Sequence, residues 1–145
     1  MKKISKNFSL EEFTHSDTAI KQKISNIPNI KQEKSITLLA CRVLQPARDV
    51  FGKSITISSG FRSPQLNKIV GGSATSQHCA GEAADLKCEN NKLLFEIIRN
   101  NCKFDQLINE YDYSWIHVSY REGSNRGEVL RAVKVNGKTK YEKIG

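Results

Sequence analysis

The chain has 145 residues, 38% apolar and 26% charged, a size and balance that suit one soluble globular domain. No apolar run approaches the roughly 20 residues that span a bilayer, and no apolar stretch of a signal peptide follows Met1-Lys2-Lys3. Synthesis in the cytoplasm, with any export by another route, is therefore expected. A formal net charge of +8 favours an anionic partner or surroundings, such as nucleic acid, a cell wall or a phospholipid surface. There is no arginine-rich arm and no aromatic-interleaved RNA-binding motif, so nucleic acid is not the expected partner, and a solvated basic surface accounts for the charge equally well. Cys41, Cys79, Cys88 and Cys102 show no CxxC spacing and read as free thiols.

In chain order, residues 1–34 are polar. Ser9-Leu10-Glu11-Glu12-Phe13 predicts a short helical turn capped by Ser9 and closed by Glu12, and His15 reads as exposed. Ile36, Leu39, Ala40, Val43, Ala47 and Val50 form the stripe of an amphipathic helix from about Lys34 to Phe51, kinked or divided by Pro46 and ended by Gly52. Residues 54–59 alternate as a strand, and Ser63-Pro64 opens a short helix that stops at Gly71-Gly72. Residues 83–87 read as a buried strand. Asn90 or Asn91 caps a helix that ends near Asn100-Asn101. Strands are predicted over 104–110 and 114–120, and a last hairpin over 129–135 and 138–143 turns at Asn136-Gly137. The expected architecture is a single α+β domain over residues 1–145: a small antiparallel sheet with helices packed on one side, its core about 8–126 and its terminal hairpin 127–145.

The chemistry gathers around Ser76–Asp85. His78 and Asp85 offer an imidazole and a carboxylate, and Ala80, Gly81, Ala83 and Ala84 between them permit close approach of backbone to an ion. Alternation over 115–119 puts Trp115, His117 and Ser119 on one strand face. With a four-residue turn Glu110 faces Trp115 and Ile108 faces His117, which leaves Glu110 about 7–8 Å from His117 on the same face. His78, Asp85 and His117 then read as three ligands of one zinc ion with an open fourth position, which is the pattern of a catalytic site. Glu110 reads as a base acting on water, or as an ordinary solvent-facing strand glutamate. Arg62, at a strand end, reads as a clamp for a substrate carboxylate, as an oxyanion partner, or as half of a surface ion pair.

Ser76-x-His78-x-x-Gly81-x-Ala83-x-Asp85 followed by Trp115-Ile116-His117 resembles the zinc D-Ala-D-Ala carboxypeptidase family of murein peptidases, whose fold is shared with vancomycin-resistance dipeptidases and the hedgehog signalling domain. Residues 8–13, 44–48, 58–63 and 105–110 extend the resemblance over most of 8–126. It implies zinc on His78, Asp85 and His117, substrate contacts at Arg62, Ser76, Gln77 and Trp115, and cleavage of a peptidoglycan amide bond involving a D-amino acid. The expected enzyme is a carboxypeptidase, dipeptidase or phage-type endolysin, a monomer acting at the cell wall or periplasm. Many relatives carry an acidic or histidine base three or two residues before the last ligand, where this chain has Ser114 and Trp115. The branch it most resembles ends an Asp-Gln-Leu-Ile-x-Glu strand in glutamate, so the resemblance implies Glu110 as base, with Asp112 as second choice. A zinc-bearing module that binds cell wall or protein without catalysis is the alternative expectation.

Overall fold

Helices fill most of the first half of the chain and strands most of the second, in a computed structural model that describes residues 1–144. The helices are α1 (Leu10–Thr14), α2 (Asp17–Gln22), α3 (Ile30–Leu39), α4 (Gln45–Phe51), α5 (Pro64–Ile69) and α6 (Asn91–Asn101). The strands are β1 (Thr56–Ser59), β2 (Ala83–Lys87), β3 (Gln106–Glu110), β4 (Trp115–Ser119), β5 (Glu128–Val135) and β6 (Lys138–Lys143), in one sheet of order β1-β2-β4-β3-β5-β6. No helix is long and apolar enough to cross a membrane among the described residues.

The α+β expectation is met, with one addition. The sheet is mixed, because β5 runs parallel to β3 while every other pair is antiparallel. Residues 120–127 leave β4, cross the entrance of β3 and start β5 on its far side. The hairpin turn itself is as predicted: Asn136 (φ 52°) and Gly137 (φ 77°) take the left-handed conformations of a two-residue turn.

The expected kinked helix starts earlier than its apolar stripe. Asn29 and Gln32 exchange hydrogen bonds of 2.8 Å between side chain and backbone, a reciprocal cap that starts α3 just behind Pro28. Residues Ala40–Leu44 then form a π turn leading into α4, where Gln45 N–H reaches the Ala40 carbonyl. That wider turn carries the helix past Pro46, which has no N–H to give. Gly52, at φ 76°, ends α4.

Pleating divides the sheet's chemistry between its faces. Ala84, Leu86, Leu107, Ile116 and Val118 pack against Leu39, Val43, Leu44, Ala47, Leu94, Phe95 and Ile98 of the helical layer, all fully buried. At about 1.5–3 kcal/mol for each large side chain removed from water, this is the layer that holds the sheet flat against the helices. The opposite face carries Asp85, Ile108, Glu110, Trp115 and His117 toward an open cleft.

The link between α1 and β1 is unusually close. A Cβ on Gly60 would lie 2.5 Å from the Phe13 carbonyl oxygen and 2.8 Å from its Cα, and Phe61 N–H donates to that carbonyl at 2.7 Å. Gly60→Ala is expected to force α1 off the strand at a cost of about 1–3 kcal/mol. Urea unfolding followed by circular dichroism checks this; an unchanged midpoint would contradict it.

Candidate metal centre and cleft

Strand pairing brings two of the anticipated ligands face to face. Asp85 on β2 is the direct cross-strand partner of His117 on β4, and His117 in turn faces Ile108 on β3. His78 arrives from the loop after α5. Its ring is 3% exposed, and Nδ1 lies 2.7 Å from the Gly60 carbonyl oxygen. An oxygen there can only accept, so Nδ1 carries a proton and Nε2 is the nitrogen turned toward Asp85, donating to it when protonated and offering a lone pair to an ion when not. The loop is turned by Gly81 at φ +75°, where a Cβ would also strike the Gln32 carbonyl at 2.5 Å.

The three side chains fit a small divalent ion. His117 Nδ1 lies 3.0 Å from Asp85 Oδ1, and His78 Nε2 lies 3.5 Å from the same oxygen. Tetrahedral bonds of about 2.0–2.1 Å place neighbouring ligand atoms about 3.3 Å apart, between those two values. One ligand atom from each residue lies within 4.8 Å of the others. Burial alone would raise the Asp85 carboxyl, but hydrogen bonds and charge from His117 and His78 more than offset it and hold the group well below the usual carboxylate range. An ionised carboxylate between two imidazoles is a donor set for a hard-to-borderline cation. Cys79 lies outside the cluster, and all four cysteines are free thiols.

Glu110 pairs with Trp115, two residues along β3 from the Ile108–His117 pair, which is the register anticipated from a four-residue turn. It is 7% exposed, and burial pushes its carboxyl up to about 6, with the charge of His117 opposing and that of Asp85 adding to the rise. No protein group donates a hydrogen bond to its carboxylate among the described residues. Asp112 is exposed in the turn at φ 55° and does not line the cleft. Ser114 donates to the Tyr111 carbonyl within the same turn.

Arg62 reaches the cleft from the end of β1. Its Nη1 donates to Asn67 Oδ1 at 3.2 Å, while Nε is buried without a partner. Gly72 leaves the room for this, since a Cβ there would lie 2.0 Å from Asn67 Oδ1 and 2.8 Å from Arg62 Nη1. Trp115 meets Tyr111 at a ring separation of 5.4 Å and forms the aromatic end of the cleft together with Tyr141. Ser76 Oγ accepts the His78 N–H, and Gln77 Nε2 donates to Glu82 Oε1 and Asp105 Oδ2. Both residues also line the cleft, whose volume is about 710 Å³.

Sequence reasoning missed Asp105 and Arg126. Asp105 is 0% exposed and accepts from Arg126 Nε at 3.0 Å, Arg126 Nη2 at 2.7 Å, the Arg126 backbone N–H at 2.9 Å and Gln77 Nε2 at 3.0 Å. It thereby ties the loop that carries His78 to the segment that enters β5. The available signal was an aspartate next to Phe104, just ahead of the strand Gln106–Glu110. Hydrogen bonds from Arg126 lower its carboxyl to about 2, against the opposing effect of burial. The folded state thus prefers the ionised form, so the stabilisation is complete above the ordinary value of about 3.9 and lost as pH falls through about 2. Up to about 2 kcal/mol is at stake, less what solvent screens at the half-exposed Arg126. Asp105→Asn is expected to be less stable at pH 6 and to close the gap to wild type between about pH 4 and 2, as measured by urea unfolding. A constant gap would rule out the linkage.

A search among curated proteins finds no significant match. The model of a peptidase family, Peptidase M15, matches residues 6–119 and so takes in Arg62, His78, Asp85, Glu110 and His117 together. With most of its length matched, and with the ligand set converging as described, the chain belongs to peptidase family M15, the zinc D-Ala-D-Ala carboxypeptidase-like peptidases.

Proposed function

We propose that this protein is a zinc-dependent peptidoglycan peptidase. It hydrolyses an amide bond involving a D-amino acid in the stem peptide or crosslink, at the cell wall or periplasm, in the manner of a phage-type endolysin. The observation that carries this reading is the convergence of His78 Nε2, Asp85 Oδ1 and His117 Nδ1 beside a second buried carboxylate, Glu110, on the open face of the sheet. The net charge of +8 favours approach to an anionic wall.

Zinc held by His78, Asp85 and His117 would polarise the scissile carbonyl and lower the pKa of water toward about 7. The protein's own groups do the rest. The Gly60 carbonyl fixes the tautomer of His78, and Asp85 brings negative charge between the two imidazoles. Glu110, ionised above about pH 6 and with no competing donor, takes a proton from the attacking water and returns it to the leaving amine. Arg62, with its orphaned Nε, donates to a carboxylate of the substrate or to the oxyanion. Trp115 walls the aromatic end. The side chains of Ser76 and Gln77 are committed to the His78 loop, so contact with substrate at these positions falls to what they still expose in the cleft.

Glu110→Gln is expected to retain one zinc per chain by metal analysis while kcat/KM on purified peptidoglycan falls about 10²–10⁴-fold. Undiminished hydrolysis would sink the assignment. A wild type that binds zinc yet hydrolyses nothing would leave a zinc-bearing binding module in its place.

Because Glu110 acts in its ionised form, wild-type kcat/KM is expected to fall as pH drops through about 6, and somewhat lower once a cation sits nearby. The residual rate of Glu110→Gln should lack that limb. An identical pH profile in the two proteins would remove Glu110 as the titrating base.

Chelation supplies an independent check. Dialysis against a chelator is expected to abolish release of peptide fragments from peptidoglycan, seen by mass analysis, and zinc to restore it. Digestion that is indifferent to the chelator would overturn the metal requirement.

A further inference from the structure

Arg126 lines the same cleft but lies beyond the residues matched by the family model, and its guanidinium is only half used. Nε and Nη2 make a side-on fork to the two oxygens of Asp105, at 3.0 and 2.7 Å. Arginine has five N–H donors in a rigid plane, so a second fork, formed by Nη1 and the remaining Nη2 hydrogen, is left over. Nη1 has no partner among the described residues, and the side chain is 51% exposed. Glu128 adds its charge nearby without a hydrogen bond to the guanidinium: its Oε1 accepts from Gln106 Nε2, and its Oε2 lies 3.9 Å from Lys143 Nζ. Stapling residues 120–127 to β3 accounts for the Asp105 fork. It does not account for a free, immobilised fork in the wall of a cleft.

Position along the sheet defines what that fork could meet. Asp105 precedes Gln106 at the entrance of β3, whereas Glu110 ends the same strand and His117 faces Ile108 between them. Gln106, Ile108 and Glu110 share the cleft face of β3 at intervals of about 6.6–6.8 Å, and Arg126 lines the cleft two residues before Glu128, the cross-strand partner of Gln106, so Arg126 and Glu110 lie at opposite ends of that face on either side of the Ile108–His117 pair. We propose that Arg126, held by the buried Asp105, is a specificity residue that binds a free carboxylate branching from the peptide substrate within about two residues of the scissile bond. Asp105 is its positioning residue. Because Asp105 balances its formal charge, recognition comes from the planar two-pronged geometry, which lysine lacks. Arg62 and Arg126 thus serve different groups of one substrate. The inference rests on the peptidase reading above.

The test uses a synthetic stem peptide spanning the bond that the wild-type protein cuts in purified peptidoglycan. Each branch carboxyl, on glutamate and on the diamino acid, is left free or amidated one at a time. For wild type, one of the amidations is expected to raise KM about tenfold or more, the loss expected for a charge-assisted hydrogen bond, with kcat little changed. In Arg126→Gln and Arg126→Lys the unmodified peptide should show the raised KM, and that amidation should no longer matter. Thermal unfolding and zinc content establish that the variants are intact; should both fail to fold, Asp105→Asn, which loosens the fork, takes their place and should likewise weaken the amidation penalty. Cleavage by wild type without discrimination, or an intact variant that keeps the full amidation penalty, overturns the inference and leaves the peptidase reading standing. No cleavage of peptidoglycan or of any peptide removes both.

Discussion

The antiparallel register of β2 against β4 is the constraint on which the rest of the site depends. It sets Asp85 directly across from His117, and it does so because the residues between them face the other way. Ala84 and Leu86 on β2, and Ile116 and Val118 on β4, are all fully buried against the helical layer. A slip of one residue would turn the moving strand's pair of those four to water and carry Asp85 or His117 into the apolar core. Losing even two of the larger contacts costs about 3–6 kcal/mol, and an unpaired buried carboxylate costs several more. The geometry of the candidate ligands is thus enforced by packing on the opposite face of the sheet.

His78 has no strand to fix it, and the loop that carries it relies on side chains instead. Gln77 is tied to Glu82 and Asp105, Gln32 Nε2 donates to the Cys79 carbonyl at 3.1 Å, and Gly81 permits the backbone to pass Gln32. The ring itself is clamped by Gly60, whose lack of a side chain lets α1 close over the end of β1. Each anchor comes from a different element: α3, β1 and the entrance of β3. A loop position held from three directions can place an imidazole as well as a strand does, which is the precision a shared ion requires.

Contacts that follow from strand periodicity were readable in the sequence; those made by side chains across distant loops were not. Alternation over 115–119 and a four-residue turn gave the Glu110–Trp115 and Ile108–His117 pairs, because side-chain direction in a hairpin follows from counting. Asn136-Gly137 gave the last turn, since few dipeptides accept two positive φ angles. The parallel placement of β5 beside β3 was not readable, because a hairpin looks the same in sequence whichever strand it joins. The Asp105–Arg126–Gln77 network was hidden for a related reason. Its members are 21 and 28 residues apart, and no periodicity links a strand entrance to two loops. The start of α3 was masked by its own first turn, where an exposed Ile30 precedes three polar residues and adds nothing to the buried stripe.

Three buried or nearly buried carboxylates occur within this small region, and their surroundings push them apart. Asp85 is held ionised by two imidazoles and Asp105 by a guanidinium fork, so neither is free to exchange a proton near neutral pH. Glu110 alone has burial without a donor, and its carboxyl rises to about 6. A group that must take and return a proton needs a value close to the working pH, whereas a ligand or a scaffold must stay charged. The proposed division of roles among ligand, scaffold and base therefore follows from what each carboxylate accepts: two imidazoles, an arginine fork with a glutamine, or nothing. Asp112 takes no part in this division, because it lies exposed in the turn and does not line the cleft.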